Sequence, residues 1–145
     1  MNNSTKILAS GQQMKRLYEK QFEEICGRYQ ITQNEADIIA FLANNPDFDT
    51  ARDIVELRMI AKSYISKSVE NLIKKGFLVR ISDKEDRRII HLQLTHKSIP
   101  IIDDARLKQK EFVEILFAGM DANEVEMFES LLTKIFDNAN MANNK

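Results

Sequence analysis

The residues best suited to chemistry lie in Ser82-Asp83-Lys84-Glu85-Asp86-Arg87-Arg88, a charged, turn-prone segment. Two adjacent guanidinium groups offer planar forks of N–H donors that match phosphate oxygens or the narrow minor groove of a duplex. On either side run Phe77-Leu78-Val79-Arg80-Ile81 and Ile89-Ile90-His91-Leu92-Gln93-Leu94. Both are aliphatic and nearly alternating, as expected for the two strands of a hairpin, so the arginines fall near its tip. A surface salt-bridge cluster among Asp83, Glu85, Asp86 and the arginines is the plainer use of the same residues.

Little else offers reactive groups. No Gly-rich phosphate loop, nucleophile elbow or paired ligand motif occurs, so no catalytic residue and no enzyme activity is expected. The single cysteine, Cys26, excludes an internal disulfide and sits beside Ile25 and Tyr29 on an apolar helix side. There a cysteine acts as a small hydrophobe rather than a redox switch. His91 and His96 are five residues apart around a strand end, away from helical i, i+4 spacing, so neither a metal site nor a cofactor is expected.

The elements that must position the arginines follow from periodicity. Met14, Leu17, Tyr18, Phe22, Ile25 and Tyr29 predict a long amphipathic helix from about Ile7 to Tyr29. Thr32 with Glu35 is a capping signal for a helix over Gln33–Asn44, which Asn45-Pro46 stops. Thr50 with Asp53 opens a short helix to about Leu57, and Lys62 to Lys75 forms a longer one closed by Gly76. Two helices joined by a tight turn and followed by a hairpin make a winged helix-turn-helix. Beyond Thr95, Ser98 with Pro100 predicts the start of a helix to about Ala118, and Asp121 with Glu124 opens a last one. Residues 138–145, mostly asparagine and alanine, read as a frayed tail.

In the helix from Lys62, the side chains of Ile65, Val69, Leu72 and Ile73 share one face. Lys62, Ser63, Tyr64, Ser66 and Lys67 lie on the other, at the N-terminal end, where small polar and basic groups suit a major groove. A merely solvated helix face is the alternative.

Composition is that of a soluble globular chain: 145 residues, 43% hydrophobic and 30% charged. No run reaches membrane-spanning length and the N-terminus lacks a signal pattern, so a cytoplasmic protein with no membrane partner is expected. The net charge is −1, yet from Arg58 to Lys97 there are ten basic residues and four acidic ones. A basic centre between acidic ends suits a polyanion at one surface only.

This order of elements and its wording resemble the MarR family of bacterial transcriptional regulators. Ile31-Thr32-Gln33-Asn34-Glu35 is similar to the family's entry into its second helix, and Lys62–Leu72 with Lys75-Gly76-Phe77-Leu78 to its recognition helix and exit. Asp83-Lys84-Glu85-Asp86-Arg87-Arg88 is similar to its wing, and Leu92-Gln93-Leu94-Thr95 to the strand leading out. Departures are Ala61 where a serine cap is common, Ser68 where an aliphatic residue is usual, and Met59 for a turn glycine.

The resemblance implies a mainly α fold with a small β-hairpin wing, a single domain over 1–145. Its winged helix-turn-helix part spans 32–95, with dimerisation helices over 1–31 and 96–140. It further implies that Arg88 enters a groove with Asp86 holding its side chain, while Arg87 rests on the backbone. Ile7, Leu8, Phe112, Leu116, Leu131, Ile135 and Phe136 exceed what a small core needs and are expected to seal a two-fold dimer. Their alternative is a monomer's own core. The expected partners are a double-stranded operator, a second copy of the chain and a small-molecule effector whose identity no residue discloses. A winged-helix module for protein–protein assembly is the rival reading.

Overall fold

The computed structural model describes residues 1–145. Helices α1 (Asn3–Tyr29), α2 (Gln33–Asn44), α3 (Ala51–Arg58) and α4 (Lys62–Lys74) precede strands β1 (Leu78–Ser82) and β2 (Ile90–Leu94). A single 3₁₀ turn, His96–Ser98, then leads into α5 (Ile99–Leu116), and α6 (Ala122–Asn143) ends the chain. No helix is long and apolar enough to cross a membrane. Residues 1–112 pack as one compact unit and residues 113–145 as another.

The first unit is built on one apolar core. Phe22 and Ile25 of α1, Ile38 and Ile39 of α2, Ile54 of α3, Ile65 and Leu72 of α4, Leu78 of β1 and Ile101 of α5 are all fully buried. Each such side chain contributes roughly 1.5–3 kcal/mol on leaving water. Cys26 is partly buried against this core, and burial pushes its thiol pKa up, the setting of an inert cysteine.

Local chemistry sets the element ends. Thr32 Oγ1 accepts from Glu35 N at 3.1 Å. Thr50 and Asp53 form a reciprocal capping box, as do Asp121 and Glu124. Gly76 (φ 83) closes α4 in a Schellman arrangement, with Gly76 N donating to Ile73 O and Phe77 N to Leu72 O. Phe77 is thereby drawn into the cap, so β1 begins one residue later than alternation suggests. The turn between α3 and α4 is made by Met59 in the left-handed region (φ 57), a conformation that costs a methionine about 1 kcal/mol or more.

Three expectations change. Ser98 does not cap α5: its hydroxyl donates to Thr95 O at 2.6 Å inside the 3₁₀ turn, which carries the chain into the helix. The asparagine-rich end is not frayed, because α6 continues to Asn143. Helix α1 begins at Asn3, where Asn2 accepts from Thr5 N, and it passes Gly11 unbroken.

The strands pair antiparallel with Leu78 opposite Leu94, Arg80 opposite Leu92 and Ser82 opposite Ile90. Leu78 and Leu92 turn inward while Val79 and Ile81 stay exposed, the alternation that a one-sided hairpin requires. Leu92 N also donates to Asp49 O at 2.7 Å, fastening β2 to the connection between α2 and α3.

The second unit is a helical hairpin. It comprises the end of α5, a turn with Gly119 at φ 82, and α6, with Phe117 edge-on to Phe128 at 5.6 Å. None of the residues of α6 is buried.

Candidate nucleic-acid interface

Helix α4 rests on α2 and α3 through Ile65, Val69 and Leu72, which leaves Lys62, Ser63, Tyr64, Ser66 and Lys67 exposed at its N-terminal half. Ile73 is half-buried, and Ser68 is buried on the inward side, where its small size is accommodated. No side chain caps this helix, because Ala61 has none to offer, and its first turn contains no acid. Its free N–H groups and positive dipole end therefore face solvent beside Lys62.

The wing is held from within. Asp83 Oδ2 accepts from Glu85 N at 3.1 Å and from Asp86 N at 2.9 Å, and Asp83 N donates to Ile89 O at 2.9 Å. Asp86 then grips Arg88 with both oxygens: Nε donates to Oδ1 and Nη2 to Oδ2, each at 3.0 Å. This fork-on-fork pair holds the Asp86 carboxyl below its usual range, and Arg88's own backbone N–H adds to the effect. The Arg88 side chain is nonetheless 91% exposed, a charge aimed outward on a fixed stem. Arg87 is exposed with no carboxylate in ion-pair range.

Helix and wing are joined where Arg80 of β1 meets Glu70 of α4. That pair also amends the charge map. Arg58 is committed to Asp37 at 3.2 Å, and Lys75 to the buried Glu35 at 2.6 Å. The outward positive charge therefore rests on Lys62, Lys67, Lys74, Lys84, Arg87 and Lys97, together with the tethered Arg88.

Two features lie outside the reach of the sequence reading. The first is the ring of His91, between Asp49 and Asp83 at 2.7 Å on each side. Asp49 is 42 residues away along the chain, so no spacing rule signals the contact. The second is a cavity of about 780 Å³ in the first unit, bordered by Tyr18, Asp37, Arg58, Met59, Tyr64 and Phe112. Within it Gln109 donates to Tyr18 Oη at 3.0 Å, and the Arg58 guanidinium lies 5.9 Å from the Tyr18 ring centre. Burial pushes the Asp37 carboxyl up despite its neighbour Arg58.

Of the apolar positions expected at a dimer seam, Ile7, Leu8, Leu131, Ile135 and Phe136 are exposed. Leu116 is half-buried, and Phe112 packs edge-on to Tyr18 at 5.2 Å within the first unit. Phe112 therefore has a place in the monomer's own packing, whereas the five exposed residues have none.

Comparison with known proteins agrees with this architecture. The MarR family's sequence profile matches residues 29–89, from the end of α1 to the wing. That segment, under half of the chain, is what resembles the MarR family. Among similar proteins, the HTH-type transcriptional regulator PapX of Escherichia coli is 25% identical over 77% of the chain and 69% of PapX. Matches to two Bacillus subtilis regulators span 60% and 51% of those proteins. The fold is that of MepR of S. aureus in complex with DNA, at a TM-score of 0.73 and 21% identity over 95% of this chain and 98% of that one. It is equally that of BpsR of Bordetella bronchiseptica, whose DNA binding is regulated by 6-hydroxynicotinic acid, at 0.73 and 16% over 94% of each chain.

Proposed function

We propose that this protein is a MarR-type regulator: a homodimeric transcriptional repressor that reads a pseudo-palindromic operator and releases it on binding a small molecule. One observation carries the DNA reading. The exposed, acid-free N-terminal face of α4 adjoins a hairpin on which a bidentate carboxylate locks Arg88 outward. Ser63, Tyr64 and Ser66 reach base edges in the major groove, Lys62 and Lys67 neutralise phosphates, Arg88 enters the minor groove and Arg87 lies on the backbone. The likeness to MepR bound to DNA supports the same orientation.

The uncovered apolar side chains support the dimer. A 22-residue helix with no buried residue gains little from its own unit and calls for a second surface, which two-fold symmetry supplies. Two recognition helices then address half-sites about 10 base pairs apart. The cavity beside Tyr64 and the α3–α4 turn is the place for an effector, which acts only through unequal affinity for the two spacings of the dimer.

Sequencing duplexes retained from a random pool tests the whole reading. The expected result is a two-fold symmetric motif with that half-site spacing, bound with an affinity that falls steeply with salt. An unenriched pool, or affinity indifferent to salt, points instead to a module that binds protein.

A further inference from the structure

His91 stands on β2 with Nδ1 2.7 Å from Asp49 Oδ1 and Nε2 2.7 Å from Asp83 Oδ1. Asp49 belongs to the α2–α3 connection, which is fixed to β2 by the Leu92–Asp49 backbone bond. Asp83 opens the wing loop and organises it by accepting from the N–H groups of Glu85 and Asp86. Asp86 holds Arg88. A continuous line of hydrogen bonds thus runs from the body of the unit, through one imidazole, to the arginine that the wing displays.

We propose that His91 is a positioning residue for the wing: as an imidazolium it clamps Asp83 to Asp49 and so fixes where Arg87 and Arg88 are presented. The role rests on the duplex-contacting reading of the wing. Its chemistry follows from counting donors. A neutral imidazole has one N–H and one lone pair, whereas ionised carboxylates only accept. In the neutral state one of the two 2.7 Å contacts sets a lone pair against a carboxylate oxygen. The imidazolium donates to both.

No other charge competes for the ring. Asp49 faces it from the α2–α3 connection and Asp83 from the wing. On the packed neighbours, Arg80 of β1 is taken by Glu70 of α4, and Asp53 of α3 accepts from Thr50 N. Beyond Asp83, the Arg88 charge is held by Asp86. The ring is about one-third exposed, so protons exchange freely with solvent. In keeping with this geometry its pKa is held above the ordinary 6.5, first by Asp49 and then by Asp83. The clamp is therefore complete below that value and is lost as pH rises through the ring's own higher one.

The test is fluorescence anisotropy with a labelled mixed-sequence duplex at fixed ionic strength, from about pH 6 to about pH 8.5. It uses the wild type, His91→Gln, Asp49→Asn and, as a control for the other histidine, His96→Gln. Wild type and His96→Gln are expected to lose affinity by at least about threefold more than His91→Gln over this range, below the tenfold per pH unit that one linked proton allows. Ring ¹⁵N spectra read the clamp without DNA: in the wild type both nitrogens stay protonated to a higher pH than in free histidine, with the titration lowered in Asp49→Asn. Equal pH slopes in wild type and His91→Gln, or a ring titrating at or below free histidine, overturn the role of His91 alone. A wild type that binds no duplex at any pH overturns the DNA reading, and the positioning role with it.

Discussion

Arg88 shows how a fully hydrated side chain is made directional. Its guanidinium gives up two donors to Asp86 and keeps the rest for a ligand, so part of the ordering cost of binding is met in advance. Immobilising such a side chain costs about 0.5–1.5 kcal/mol, so Asp86→Ala should weaken duplex affinity roughly two- to tenfold with the melting temperature unchanged. Equilibrium anisotropy decides it, and equal or tighter binding would mean that Asp86 acts only as a repelling charge. The Asp83–His91 contact has its own pH window. His91 pulls Asp83 down to about 2, so that carboxylate's contribution is present above its unfolded value near 3.8 and fades as pH falls toward 2. The imidazolium's contribution fades on the alkaline side of 6.5. Amide exchange in Lys84–Arg88, corrected for intrinsic rates, should accordingly be slowest between those limits.

At the scale of the element, helix α4 is finished unequally at its two ends. Its start is bare, with Ala61 at φ −57 and ψ 139, an extended conformation that a capping serine can adopt. Ala61→Ser should raise stability by about 0.5–1 kcal/mol in thermal unfolding. Its end is overdetermined. Gly76 turns the chain, Lys97 Nζ donates to Lys75 O at 2.6 Å, and Lys75 Nζ reaches both Gln30 O at 2.9 Å and Glu35 at 2.6 Å. Glu35 is 1% exposed, so removing its cation strands a carboxylate. Because Lys75 is itself partly hydrated, Lys75→Met should cost about 1–3 kcal/mol in denaturant unfolding, with most of it recovered in Lys75→Met/Glu35→Leu. A double variant no more stable than the single one would show that the pair is not what holds this end.

For the whole molecule, near-neutrality conceals a division of labour. Part of the basic surplus between Arg58 and Lys97 is absorbed by Asp37 and Glu35, and most of what remains outward lies on α4 and the wing. The apolar surplus is sorted in the same manner. Ile38, Ile54 and Leu72 fill the core, while Leu131, Ile135 and Phe136 of α6 stay in water. Solitary exposed hydrophobes are ordinary, but a helix carrying several with none buried supports the proposed dimer seam. Leu131→Asp/Ile135→Asp should sediment as a monomer and lose at least about tenfold in operator affinity, since two linked half-sites bind far more tightly than one. A double variant that still sediments as a dimer would move the seam elsewhere.

The chain alone determined the succession of helices and the hairpin, because capping pairs such as Thr50 with Asp53, the glycine after Lys75 and strand alternation act over a few residues. That Asp86 holds Arg88 was implied by the family resemblance, and the structure shows the pair. The sequence reading misjudged Ser98 and the last eight residues, where a 3₁₀ turn and a continuing helix depend on weak local preferences that composition does not resolve. Only the tertiary structure brought Asp49 to His91, Lys75 to Glu35 and Arg58 to Asp37, and only it opened the cavity beside Tyr64. The reason is physical: such contacts join residues dozens of positions apart, and their partners are chosen by how the packed core brings the helices together rather than by any period in the sequence.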